Sequence, residues 1–212
     1  MTTTPRLAIF DLDGTLVDSL DDLHASVSHA LRALGIPPRT RAEVHGYVGE
    51  GARMLVERSI APRTDLLEPA LAAWRAHYEE HCLDRTRAYP GIDELLGRAG
   101  RVLAVHTNKP GALARKILAG LGLLHRFTAV TGGDEAPRKP DPTGVRAIMA
   151  RVGAAPADAV LVGDSRVDAA TARAAGIPFV AVTWGFGSRA ELAATGPVAI
   201  VDRAAELAPW VA

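Results

Sequence analysis

Two carboxylates, Asp11 and Asp13, stand one residue apart in the stretch LAIFDLDGT, directly after the apolar run Leu7 to Phe10. Side chains alternate along extended chain, so residues two apart project to the same side and the two charges share one patch. Such a pair is unfavourable unless a cation, a proton or a hydrogen-bond donor offsets it. Gly14 follows at once and permits a sharp turn that most residues cannot adopt. From these residues alone two uses stay open: a strand end whose aspartates accept backbone hydrogen bonds in a turn, or a site built around charge. Further along, three more apolar runs lead into polar residues: Thr107 with Asn108, then Lys139 in TGGDEAPRKPDP, then Asp164 with Ser165. An acidic cluster fit for a hard cation, together with a hydroxyl, an amide and a lysine, suits a phosphoryl group accompanied by magnesium.

The elements that must carry these groups follow from periodicity. Leu7 to Phe10 is short, bounded and rich in strand formers, as expected of a strand buried on both faces of a parallel sheet. From Pro90 onward, strand-like runs at Val102, Phe127, Ala159, Phe179 and Ala199 alternate with helical stretches such as PGALARKILAGLGL and RVDAATARAAGI. That alternation predicts an α/β fold, a doubly wound parallel sheet with right-handed crossovers. Ligands of open parallel sheets bind outside the carboxyl ends of the strands, so the polar residues named above are expected on one rim. The stretch from Asp18 to Arg87 breaks the pattern. It holds only helical spacing, most clearly in the stripe Leu67, Leu71, Trp74 and Tyr78. The expected organisation is a core domain from residues 1–17 and 88–212 and a small all-helical domain from 18–87, joined through LVDS and RTRAYPG, where two linkers make a hinge possible.

Composition narrows the class. Of 212 residues 48% are hydrophobic, ample for a buried core, and 24 basic residues balance 24 acidic ones. There is therefore no global field to attract nucleic acid or an anionic membrane, and any anion site must be local. The single cysteine, Cys82, has no internal disulfide partner, and Pro5 and acidic residues stand where a signal peptide needs a long apolar stretch. No apolar run approaches the ~20 residues of a membrane helix. A soluble cytoplasmic protein is expected.

The polar set resembles the haloacid dehalogenase superfamily of phosphotransferases. DLDGT matches its first motif, Thr107 in HTNK the second, Lys139 in RKPDP the third, and GDSRVD, with Asp164 and Asp168, the fourth, in family order and spacing. The resemblance implies a Rossmann-like core, a Mg2+ cofactor and a covalent route. Asp11 would attack phosphorus and form an aspartyl-phosphate, while Asp13 would protonate the leaving oxygen and later take a proton from water. Magnesium would be held by Asp11, the Asp13 carbonyl and Asp164, and Lys139 and Thr107 would meet the phosphoryl oxygens, with Gly14 and Asn108 as further phosphate contacts. Asp168 would either reach the metal through water or hold Lys139, and these alternatives stay open. Dehalogenases of the superfamily lack an aspartate at the position of Asp13, so phosphate-ester or phosphoanhydride chemistry is implied rather than release of a halide.

In this resemblance the helical insertion is a cap that closes over the site and selects the leaving group. Gly49 and Gly51 in YVGEGARML would form the loop that dips toward substrate, and Arg53 would meet a substrate carboxylate unless it is a solvated surface arginine. Over nearly its whole length the sequence is similar to bacterial phosphoglycolate phosphatases, which implies 2-phosphoglycolate, a small phosphorylated metabolite, as substrate. A pyrophosphatase, a sugar-phosphate phosphatase or phosphomutase, and a non-catalytic phosphometabolite sensor are the alternatives. Monomer or homodimer stays open. HYEEH, from His77 to His81, matches a zinc-peptidase pattern but has no third ligand with a supporting context. His106 is expected to point away from Thr107 as a packing residue, and Cys82 to be a half-buried thiol.

Overall fold

The computed structural model describes residues 6–211. The chain opens with β1 (Leu7–Phe10), every residue of which is fully buried, and turns into the two-residue strand β2 (Val17–Asp18). Four helices follow: α1 (Leu20–Ala33), α2 (Arg41–His45), α3 (Ala52–Ile60) and α4 (Leu67–His81). A second two-residue strand, β3 (Arg87–Ala88), returns the chain to α5 (Ile92–Gly97) and β4 (Val102–His106). Then come α6 (Gly111–Gly120), β5 (Ala129–Thr131), α7 (Thr143–Val152), β6 (Ala159–Gly163), α8 (Arg166–Ala175), β7 (Phe179–Val182) and β8 (Ala199–Val201).

Among the described residues, six strands pair in parallel in the order β5-β4-β1-β6-β7-β8. The chain starts in the middle, winds outward through β4 and β5, then crosses to the other side of β1 for the last three strands. This is the doubly wound sheet expected from the sequence, and β1 lies at its topological switch point, with Phe10 in register with Val105 on one side and Val162 on the other. Alternation along β1 feeds two apolar layers: Leu7 and Ile9 face one, Ala8 and Phe10 the other. The layer holding Phe10 continues without a break into the helical insertion, where it includes Leu23, Val27, Val56, Trp74 and Tyr78. Of the stripe on α4, Leu71, Trp74 and Tyr78 are buried and Leu67 is partly covered.

The two crossings between sheet and insertion carry no strand signal in the sequence, yet β2 and β3 pair antiparallel, Val17 opposite Ala88 and Asp18 opposite Arg87. Two residues each are too few to show a period. Asp22, buried in the first turn of α1, strengthens this junction by accepting from the backbone N–H groups of Arg85 (3.0 Å) and Thr86 (2.8 Å) and from the Thr86 hydroxyl (2.7 Å). No described helix is long and apolar enough to cross a membrane.

Candidate active site

Extended pairing persists one residue beyond β1, where the Asp11 N–H donates to the Val162 carbonyl at 3.0 Å. The chain then folds back on itself, the Leu12 carbonyl accepting from the N–H groups of Leu16 (2.9 Å) and Val17 (3.1 Å). Gly14 makes this possible. Its φ is +85°, and a Cβ there would lie 2.3 Å from Asp164 Oδ2, so only glycine fits both the backbone and the neighbour.

The two carboxylates that share one patch of sequence are stabilised by different cations. Lys139 Nζ lies 2.8 Å from Asp11 Oδ1 and 2.7 Å from Asp168 Oδ1. Lys109 Nζ donates to both oxygens of Asp13 at 3.0 Å, and the Ser19 hydroxyl donates to Asp13 Oδ1 at 2.5 Å. Burial works against the charge of each lysine, but Asp11 and Asp168 around Lys139, and Asp13 and Tyr78 around Lys109, outweigh it and hold both above the ordinary lysine range. Asp164 accepts from the Thr15 hydroxyl at 2.8 Å and from the Phe186 N–H at 2.8 Å.

Asp11, Asp164 and Asp168 each present an oxygen within 4.8 Å of the others, the only such group of three possible metal ligands among the described residues. Against these three carboxylates stands one ammonium, Lys139. Burial raises the Asp11 carboxyl to about 6 and the Asp164 carboxyl to about 8, as expected where charge in excess of its partners is held out of water. A dication with a preference for oxygen would balance the excess, so the donor set fits Mg2+. Asp168 has little left to offer such an ion. Its Oδ2 accepts from the Ser165 N–H (3.1 Å) and hydroxyl (2.5 Å), closing a capping box at the start of α8, while Oδ1 takes Lys139.

Asp11, Asp13, Thr107, Asn108, Lys109, Gly49 and Gly51 line one cavity between the sheet rim and the helices, bounded on the far side by Leu23, Val48, Ala52, Leu55 and Trp74. Thr107 is buried, its N–H donating to the Thr131 carbonyl at 3.0 Å. Asn108 has both ends of its amide in use within the protein: Oδ1 accepts from the Lys139 N–H at 2.8 Å and Nδ2 donates to the Gly49 carbonyl at 3.0 Å. It ties the glycine loop to the rim. Arg53, for which the sequence leaves a substrate carboxylate and solvent as alternatives, lies on the solvent side of α3, outside the cavity lining, and pairs with Glu68 at 2.8 Å. His106 is fully buried against Gly144, where burial lowers its pKa to about 4 and leaves it neutral. His77 stacks between His29 and His81, and His81 Nδ1 meets Asp84 at 2.8 Å. Cys82 is fully buried.

Sequence reasoning passed over Lys109, Ser19 and Thr15. Thr15 and Lys109 lie within quoted motifs, DLDGT and HTNK, and a second cation two residues after Thr107 was the available sign that Asp13 would have its own partner. The S-x-x-D spacing of Ser165 and Asp168 likewise announces a helix start.

Comparison with known proteins agrees with this architecture. The family model of haloacid dehalogenase-like hydrolases matches residues 8–182. A phosphoglycolate phosphatase from Rhodospirillum rubrum is 41% identical over 98% of this chain and 91% of its own, and phosphoglycolate phosphatase 1 of Pseudomonas aeruginosa is 38% identical over 98% and 80%. Among solved structures, a predicted phosphoglycolate phosphatase from Haemophilus somnus 129PT superposes with a TM-score of 0.91 at 31% identity, covering 98% of each chain. A haloacid dehalogenase-like hydrolase from Streptococcus pneumoniae gives 0.88 at 27% identity over 97% of each. The match runs through every strand of the sheet except β8 and through the whole helical insertion. The chain belongs to the haloacid dehalogenase-like hydrolases.

Proposed function

We propose that this protein is a magnesium-dependent phosphomonoesterase whose substrate is 2-phosphoglycolate. The observation that carries the reading is Asp11 itself, a carboxylate at the switch point of the sheet, lining the cavity and held at 2.8 Å by Lys139. In the first half-reaction an Asp11 oxygen bonds to phosphorus and the ester P–O bond breaks, while Asp13 passes its proton to the departing oxygen. In the second, Asp13 takes a proton from water, the water oxygen bonds to phosphorus, and Asp11 is released. Lys139 and Thr107 hold the phosphoryl oxygens, and Asp168 keeps Lys139 in place. Asp11, Asp164 and the Asp13 carbonyl hold the Mg2+, which supplies positive charge to offset the meeting of an anionic nucleophile with an anionic phosphate. The helical unit from 18–87 acts as the cap. The choice of 2-phosphoglycolate rests on the phosphoglycolate phosphatases that are 41% and 38% identical to this chain.

The raised carboxyls make metal binding and pH interdependent. Asp11 and Asp164 have folded pKa values above 3.8, so without metal they stabilise the fold fully below about that pH, and the contribution is lost as pH rises through about 6 and about 8. Mg2+ binds the ionised forms. The increase in Tm on adding Mg2+ is therefore expected to be larger at pH 8 than at pH 5; an equal increase at both would contradict the assigned ligands. The substrate is tested by phosphate release across 2-phosphoglycolate, pyrophosphate, hexose phosphates and nucleotides. A dominant EDTA-sensitive rate on 2-phosphoglycolate is expected. Activity centred on another ester would discard the substrate and keep the chemistry, and little release without a bisphosphate activator would favour a mutase.

A further inference from the structure

We propose that Lys109 and Tyr78 form a relay that reports docking of the helical cap to Asp13, so that the proton carrier is set in place only while α4 covers the site. The inference rests on the phosphatase reading above and adds a positioning role that none of the family motifs assigns to these two residues. Lys109 Nζ donates to both Asp13 oxygens at 3.0 Å and to the Tyr78 hydroxyl at 2.9 Å, and lies 4.7 Å from the centre of the Tyr78 ring. Tyr78 is fully buried on α4 and stacks on Trp74, ring centres 4.8 Å apart, and Trp74 forms part of the cavity wall. The ammonium is thus shared between a residue of the sheet rim and a residue of the cap. The preceding residue behaves in the same way, since Asn108 joins the Lys139 N–H to the Gly49 carbonyl of the cap loop. Two consecutive side chains after Thr107 therefore clasp two separate parts of the insertion.

An undocked α4 would take away both the phenol oxygen and the ring face. Lys109, on a flexible four-carbon stem, would then be free to turn toward water, and Asp13 would keep only its bond to Ser19. Docking restores the hold: the ionised Asp13 takes Lys109 on both oxygens, and the protonated form that begins the cycle keeps Lys109 and Ser19 on Oδ1 with its proton on Oδ2. In the first half-reaction Asp13 must aim one proton at the departing oxygen, and in the second it must receive one from water, so its orientation matters most where the leaving group needs that proton.

The test compares two esters. The glycolate oxygen of 2-phosphoglycolate needs a proton as it leaves, whereas p-nitrophenolate departs as an anion. Tyr78→Phe keeps the ring and removes the hydroxyl. It is expected to slow formation of the aspartyl-phosphate, followed in a single turnover, by about tenfold with 2-phosphoglycolate and by less than about twofold with p-nitrophenyl phosphate, whereas the later attack of water, common to both esters, slows equally. Lys109→Met is expected to show the same selectivity with a larger loss, toward the ~10²-fold that proton transfer commonly contributes. An unchanged Tm for Tyr78→Phe would set a folding explanation aside. Equal losses on both esters, or no loss on either, would overturn the relay and leave the phosphatase reading standing. Wild-type protein releasing phosphate from neither ester would overturn both.

Discussion

Asp11→Asn is expected to fold like the wild type and to lose turnover by on the order of 10⁴-fold or more, the scale on which removing an essential nucleophile acts. The two parts of that expectation have separate causes. Asparagine has the shape of aspartate but its amide does not attack phosphorus, so the covalent step disappears. Stability is preserved because Asp11 is buried at a cost, as its carboxyl raised to about 6 records, and because Lys139 retains Asp168 at 2.7 Å when the Asp11 charge is gone. Thermal unfolding and phosphate release measured on the same preparation check both parts. Acid-quenched wild type should retain phosphate on one aspartate and the variant none. Turnover within about tenfold of wild type would remove Asp11 from the role of nucleophile.

Lys139→Met should do the opposite, damaging the fold and the chemistry together. Lys139 is the shared partner of Asp11 and Asp168, its side chain only 1% exposed, and methionine fills similar space without charge. Breaking a buried pair by removing one partner commonly costs about 3–5 kcal/mol, because the remaining charge has neither water nor counter-ion. Here the deficit should depend on pH. With the cation gone, the folded-state pKa of Asp11 rises further above its unfolded value, so the stability it contributes is intact in acid and lost as pH rises. The difference between wild type and variant in urea unfolding should be largest near pH 8 and shrink toward pH 5. A small deficit that does not vary with pH would mean that Lys139 is not the charge that holds the cluster together.

How far the sequence foretells this site depends on how local each feature is. β1 and β6 are legible because strands buried on both faces read as continuous apolar runs, and their polar ends then mark the rim. The stripe on α4 is legible because a helix must repeat its apolar face every turn. The destination of Lys109 is not, since it depends on three groups far apart in the chain, at 13, 78 and 109, that the packing of α4 brings together. Asp168 lies between these cases. Its capping spacing with Ser165 is local and readable, while its hold on Lys139 is not.

The short ribbon of β2 and β3 bears on how such a chain can change over time. Because Asp18 sits opposite Arg87, everything from Ser19 to Thr86 leaves the sheet and returns to it at adjacent points. To the sheet, that whole stretch is a closed loop with its ends already joined. Closing a loop costs free energy that grows only with the logarithm of length, about 0.6 kcal/mol for each doubling. Changes of length between those two positions therefore leave the register of β1 with β4 and β6 almost untouched, so long as an apolar face still covers the layer that holds Phe10. The ribbon behaves as a socket, and what is plugged into it is free to diverge while the rim that carries Asp11, Lys139 and Asp164 stays as it is.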